Sequence, residues 1–169
     1  YQAQEIKRIF PDEPDTVCKP RVEQRMNISQ PRYYLGLKGT VRHSGRELLK
    51  QQFAVNMIWH SLAAKSSPVF ERLYNSGLIN DSFGASFQVA PRYAFSVIGG
   101  ETEDPDKLDA AIREAITELK RKQISSDLVE RLKRQSLGSY FAAHNSLDYL
   151  ANSFIVHLCH CNGDCDLCG

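Results

Sequence analysis

Between residues 83 and 119 the hydrophobic pattern changes period once, and that change limits the folds open to the chain. Phe83, Ala85, Phe87 and Val89 alternate with Gly84, Ser86 and Gln88, the period-two pattern of a strand with one face on a core. Pro91-Arg92 interrupts the run, and a second apolar stretch, Tyr93 to Ile98, stops at Gly99-Gly100. Two such runs separated by a turn predict an antiparallel pair. Asp104-Pro105 then supplies an N-cap and a proline suited to the first helical position, and Leu108, Ala111, Ile112, Ala115, Ile116 and Leu119 recur at i, i+3, i+4 spacing. A strand pair leading straight into an amphipathic helix predicts a sheet with a helix laid on one face.

The flanking sequence extends this plan. Ser44-Gly45-Arg46-Glu47 has the form of a capping box, predicting a helix to Ala64 whose Leu48, Leu49, Val55, Ile58, Trp59 and Leu62 cover a broad face. Ser67-Pro68 opens a short second helix that Gly77 closes. Val22 to Ile28 alternates loosely, and Tyr33 to Lys38 follows Gln30-Pro31, predicting two more strands joined by a turn. Downstream, one helix begins near Ser125 or Ser126 with Leu128, Leu132 and Leu137. Another begins at Asn145 or Ser146 with Leu147, Leu150, Ala151, Phe154 and Ile155. The order β-β-α-α-β-β-α-α-α predicts an α+β fold, an antiparallel sheet with helices packed on one face. Pro11, Pro14 and Pro20 mark residues 1–20 as an extended linker, so the folded body is assigned to 21–156 and a cysteine-rich tail to 157–169.

Bulk properties remove several function classes. A chain of 169 residues, 42% hydrophobic and 24% charged, fits one globular domain with a real core. Its longest apolar runs fall far short of the roughly 20 residues a membrane-spanning helix needs, so no membrane partner is expected. The net charge is +1 and the basic residues are dispersed, which leaves no footprint for nucleic acid. Cys18 stands alone and the other four cysteines crowd into the last eleven residues, unlike the framework of a secreted scaffold, so a cytoplasmic location is expected. The chain starts at Tyr1 with neither an initiator Met nor a charged-then-apolar leader, so an artificially cut or a processed end is expected there.

From roughly Val22 to Ile155 the chain resembles the second subdomain of one half of an insulinase-family (pitrilysin-family) zinc metallopeptidase, a group with the mitochondrial-processing-peptidase-like fold. The resemblance rests on an ordered set of segments. These are the strand Tyr34-Leu35-Gly36-Leu37, a long helix, the short helix from Ser66-Ser67-Pro68 to Gly77-Leu78, a strand pair, the Pro105 to Lys120 helix, and the run from Leu128 to Leu147. Gly99-Gly100-Glu101-Thr102 leading to Asp104-Pro105-Asp106-Lys107-Leu108 is similar to bacterial members. The family implies two homologous halves closing around a peptide substrate, with zinc on H-x-x-E-H in the first subdomain of the active half. None of His43, His60, His144, His157 or His160 belongs to such a motif. In peptide-binding second halves the short helix reads leucine-arginine and a glycine-leucine-x-tyrosine follows; here Leu73 precedes Tyr74, and Gly77-Leu78 precedes Ile79-Asn80. The resemblance therefore implies a supporting subdomain of a zinc-dependent endopeptidase that processes or degrades peptides, with no catalytic, cofactor-binding or metal-binding residue in this chain. Zinc is expected in the companion subdomain, which together with the second half, on this chain or another, completes the enzyme. The alternative is a catalytically inactive scaffold or assembly module of the same fold. An isolated subdomain of this kind is expected to expose an apolar face and self-associate.

Other residues that carry possible chemistry have plainer readings. Arg72, beside Glu71 on a short helix, reads as a solvated group rather than a carboxylate clamp. Trp59 and His60 read as core packing, and Gly99-Gly100, lacking a G-x-G-x-x-G context, as a strand end. Cys159, Cys161, Cys165 and Cys168, with His157 and His160, supply enough soft ligands for tetrahedral zinc, but their span of ten residues is short for such a site, and disulfides or free thiols are the favoured reading.

Overall fold

The structure, a computed structural model, describes residues 14, 16–41, 45–90 and 93–160, with side chains left out at 45, 90 and 156–160. Ser44 of the capping box, the Pro91-Arg92 turn, most of the predicted linker and the side chains of the cysteine tail lie outside the described residues. The elements run β1 (Arg32–Gly39), α1 (Gly45–Ala63), α2 (Pro68–Asn75), β2 (Gly84–Ala90), β3 (Tyr93–Glu101), α3 (Pro105–Lys122), α4 (Ser126–Ala143) and α5 (Leu147–His160). The α+β class expected from the sequence is the class observed.

Among the described residues the strands form one antiparallel sheet in the order β1-β3-β2. Register puts Leu35 and Ala85 on either side of Ile98, and Leu37 and Phe87 on either side of Ser96. Because side chains alternate across a strand, this register gathers one apolar face. Leu35 and Ile98 are buried there, with Tyr33, Ala85 and Phe87 packed at the margin. Trp59 and Leu62 of α1, Phe70 and Leu73 of α2, and Leu108, Ile112 and Ala115 of α3 close over that face. Leu108 is 0% exposed and Ile112 2%, and each contributes on the order of 1.5–3 kcal/mol of apolar burial.

The predicted strand from Val22 to Ile28 does not form. Among the described residues β1 pairs only with β3 and no strand lies beside residues 21–30, and Val22 and Met26 are 72% and 65% exposed. A loose alternation without a partner ladder leaves its backbone groups to water, so the pattern alone does not make a strand.

Local chemistry sets the turns that bring helices and sheet together. Ser67 Oγ accepts from the Phe70 amide at 3.0 Å and donates to the Leu62 carbonyl at 2.7 Å, so one hydroxyl starts α2 and pins it to the end of α1. At the other end Gly77 takes φ 72°, which lets the Leu78 amide reach the Leu73 carbonyl and the Gly77 amide reach that of Tyr74. Asp104 caps α3 through the Lys107 amide, with Pro105 next, as the sequence implies.

Candidate functional site

Two polar clusters sit where the sheet meets its loops. At the start of β1, Glu101 accepts from Arg32 at 2.8 Å through one oxygen and from Asn80 Nδ2 at 2.9 Å through the other. Asn80 Oδ1 accepts from the Ser82 amide and hydroxyl at 2.9 and 2.6 Å, and Ser82 Oγ accepts from the Glu101 amide at 2.8 Å, which closes the circuit. The Asn80 amide, with Arg32 behind it, holds the Glu101 carboxyl below its ordinary pKa. One residue further along β1, the Tyr33 hydroxyl donates to Asp109 of α3, and Arg113 Nε donates to the same carboxylate oxygen at 2.7 Å. Burial first, and then the bond to Asp109, push Tyr33 up to about 12, while Asp109 is held down by the tyrosine. Every group in these clusters has a protein partner, so they hold β1, β3 and α3 in place rather than presenting a reactive atom.

The positions at which the peptidase resemblance would place substrate contacts hold Tyr74, which is exposed, and Asn80. Tyr74 stacks on Phe70 with ring centroids 5.7 Å apart and an interplanar angle of 15°, and Asn80 belongs to the Glu101 circuit. Arg72 is an exposed side chain on α2. Trp59 is buried and donates Nε1–H to Ser96 Oγ at 2.8 Å, in keeping with core packing. Its neighbour His60 lines a cleft of about 60 Å³ with Ser61, Ser67, Arg131, Leu132 and Gln135. That volume is well below the roughly 300–1,000 Å³ of small-molecule sites.

Gly99 and Gly100 are the strand end that their sequence context implies, and each is fixed by backbone contact. A Cβ on Gly99 would lie 2.0 Å from the Tyr33 carbonyl oxygen, and one on Gly100 2.7 Å from Phe83 Cα. For a zinc ion the described residues do not fit. No three of their His, Cys, Asp or Glu side chains converge, and His144 Nδ1 already contacts the Tyr140 carbonyl oxygen at 2.7 Å. Among these residues, too, no helix is long and apolar enough to cross a membrane.

The sequence profile of the peptidase M16 inactive domain matches residues 2–136. The chain belongs to the M16 peptidase family. A relative, the uncharacterized zinc protease YmfH of Bacillus subtilis (strain 168), is 32% identical over 151 residues, 89% of this chain and 35% of that protein. A solved M16-like peptidase from Alicyclobacillus acidocaldarius superposes with a TM-score of 0.72 at 21% identity, over 79% of this chain and 31% of that one. This M16 chain therefore spans about a third of the length of the relatives it matches. No sequence pattern signals the polar clusters: Arg32, Asn80, Glu101 and Asp109 are ordinary residues until the β1–β3 register, the loop before β2 and the packing of α3 on β1 bring them to their partners.

Proposed function

We propose that this chain is the supporting, non-catalytic subdomain of a cytoplasmic zinc-dependent endopeptidase that processes or degrades peptides, with zinc carried by a companion subdomain. The observation that carries the reading is the match of residues 2–136 to the M16 inactive domain, in a chain whose sequence has no H-x-x-E-H. The sequence at the two positions supports it: Tyr74 and Asn80 stand where peptide-binding halves carry arginine and tyrosine. The subdomain's role is mechanical: it presents a rigid α+β wall on which the catalytic part is held, and the second homologous half closes over the peptide substrate.

Peptide hydrolysis by the purified 169-residue chain, with and without added zinc and alongside metal analysis, tests this. No cleavage and no bound metal are expected of the chain alone, with zinc-dependent cleavage by the complete polypeptide that carries it. Cleavage by the chain alone refutes the supporting role, and a complete polypeptide without H-x-x-E-H and without activity identifies a scaffold of the same fold instead.

A further inference from the structure

Leu128, Arg131, Leu132 and Gln135 recur along α4 at i, i+3, i+4 and i+7 and so share one face of the helix. Leu132, 4% exposed, seats that face on the body, and Arg131 and Gln135 are carried to the same junction. There they form one wall of the cleft of about 60 Å³, and the other wall is the end of α1 and the turn into α2, with His60 and Ser66. Two hydroxyls of the cleft are already in use: Ser61 donates to the Ile58 carbonyl at 2.7 Å, and Ser67 is the α2 cap. The side chains of His60, Ser66, Arg131 and Gln135 have no hydrogen-bond or ion-pair partner among the described residues. Arg131 stands one turn after Asp127, the order that favours an i, i+4 ion pair, yet no such pair forms, whereas Lys133 of the same helix pairs with Glu130 at 2.7 Å. Ser66, Arg131 and Gln135 are exposed and His60 is half-buried, so a solute can reach all four.

We propose that this cleft binds a phosphate-type oxyanion, which bridges α4 to the α1–α2 turn. Arg131 brings a permanent positive charge and a planar fork of N–H donors, Gln135 an amide NH2, Ser66 a hydroxyl and His60 a ring N–H. Each of the four can donate, and no Asp or Glu lines the cleft to repel or replace an anion. Hydrogen bonds between ionised groups, as from Arg131 to an oxyanion, are stronger than neutral ones. Donors on both walls suit an ion with oxygens on every side better than a planar carboxylate, whose two oxygens face one way. A space far below that of a small-molecule site admits the ion, or the phosphoryl end of an ester whose remainder stays in solvent. The bridge has a mechanical consequence: Leu132 is the one buried residue of α4 among the described residues, and an ion held by both walls adds a second fastening. The cleft shares no residue with the polar clusters at β1 and does not depend on the peptidase reading.

Calorimetric titration of the 169-residue chain with inorganic phosphate, against sodium chloride at matched ionic strength, tests the proposal, and NMR amide shifts locate the response. Saturable binding with a Kd of about 1 mM or below is expected. The largest shift changes are expected at His60, Ser66, Arg131 and Gln135. Arg131→Met should weaken binding at least tenfold, and Arg134→Met, which removes the same charge from the same helix outside the cleft, less than twofold. Gln135→Leu, at least threefold weaker, is the second variant if Arg131→Met fails to fold. Phosphate should also slow hydrogen exchange of the α4 amides at least threefold in the unsubstituted chain. A response that chloride reproduces, equal losses in the two arginine variants, acetate binding as tightly as phosphate, or α4 exchange that phosphate leaves unchanged overturns the inference. Glycerol phosphate distinguishes the sources: binding as tight as that of inorganic phosphate assigns the phosphoryl end of an ester, and binding of inorganic phosphate alone assigns the free ion.

Discussion

A methyl group at Gly99 or Gly100 would enter the backbone of a neighbouring segment, whereas one at Gly36 meets nothing within 4 Å. We therefore expect Gly100→Ala to cost about 3 kcal/mol, the upper end of overpacking costs, and Gly36→Ala to stay within about 1 kcal/mol, measured by urea denaturation. The buried pair Trp59 and Ser96 allows a sharper comparison. Ser96→Ala strands the indole N–H and should cost about 1–3 kcal/mol, and in combination with Trp59→Phe the total should fall short of the sum of the single changes. At Tyr33 the prediction concerns pH. Its folded pKa is raised to about 12, so the neutral hydroxyl is favoured in the native state. That contribution is complete below the ordinary tyrosine value of about 10 and drains away between about pH 10 and 12. Tyr33→Phe should flatten this part of the alkaline decline in a denaturation series, and an unchanged slope would show that the hydroxyl is not responsible.

At the scale of elements, α3 ends on Gln123 at φ 56° and ψ 160°, a conformation that is nearly reserved for glycine. Gln123→Gly should raise stability by on the order of 1 kcal/mol by calorimetry, because relief of strain exceeds the added chain entropy. Ends of this kind are where sequence and structure part company. Asp104-Pro105 and Ser67-Pro68 announce their helices, since cap chemistry is local and each needs only the next three residues. The Leu108 to Leu119 stripe is equally legible, because one helix face repeats at a fixed spacing. Val22 to Ile28 misleads because a strand exists only with a partner, and a partner is not a local property. The Glu101–Asn80–Ser82 circuit stays hidden for the same reason: its members come from two separated stretches, and neither has an unusual composition.

For the molecule as a whole, the sheet order β1-β3-β2 places the last strand made in the centre. β1 ends at Gly39 and its partner β3 ends at Glu101, so β1 waits for a further 62 residues before its ladder can close (101 minus 39). At a synthesis rate of about 5–20 residues per second, that wait lasts roughly 3–12 s. Throughout it the amides and carbonyls of β1 are open to any extended segment nearby, the condition under which nascent chains pair with the wrong strand. Codon choice between residues 40 and 101 is therefore expected to affect the yield of folded chain: a translational pause before Tyr93 lengthens the exposed interval, and faster passage through that stretch shortens it.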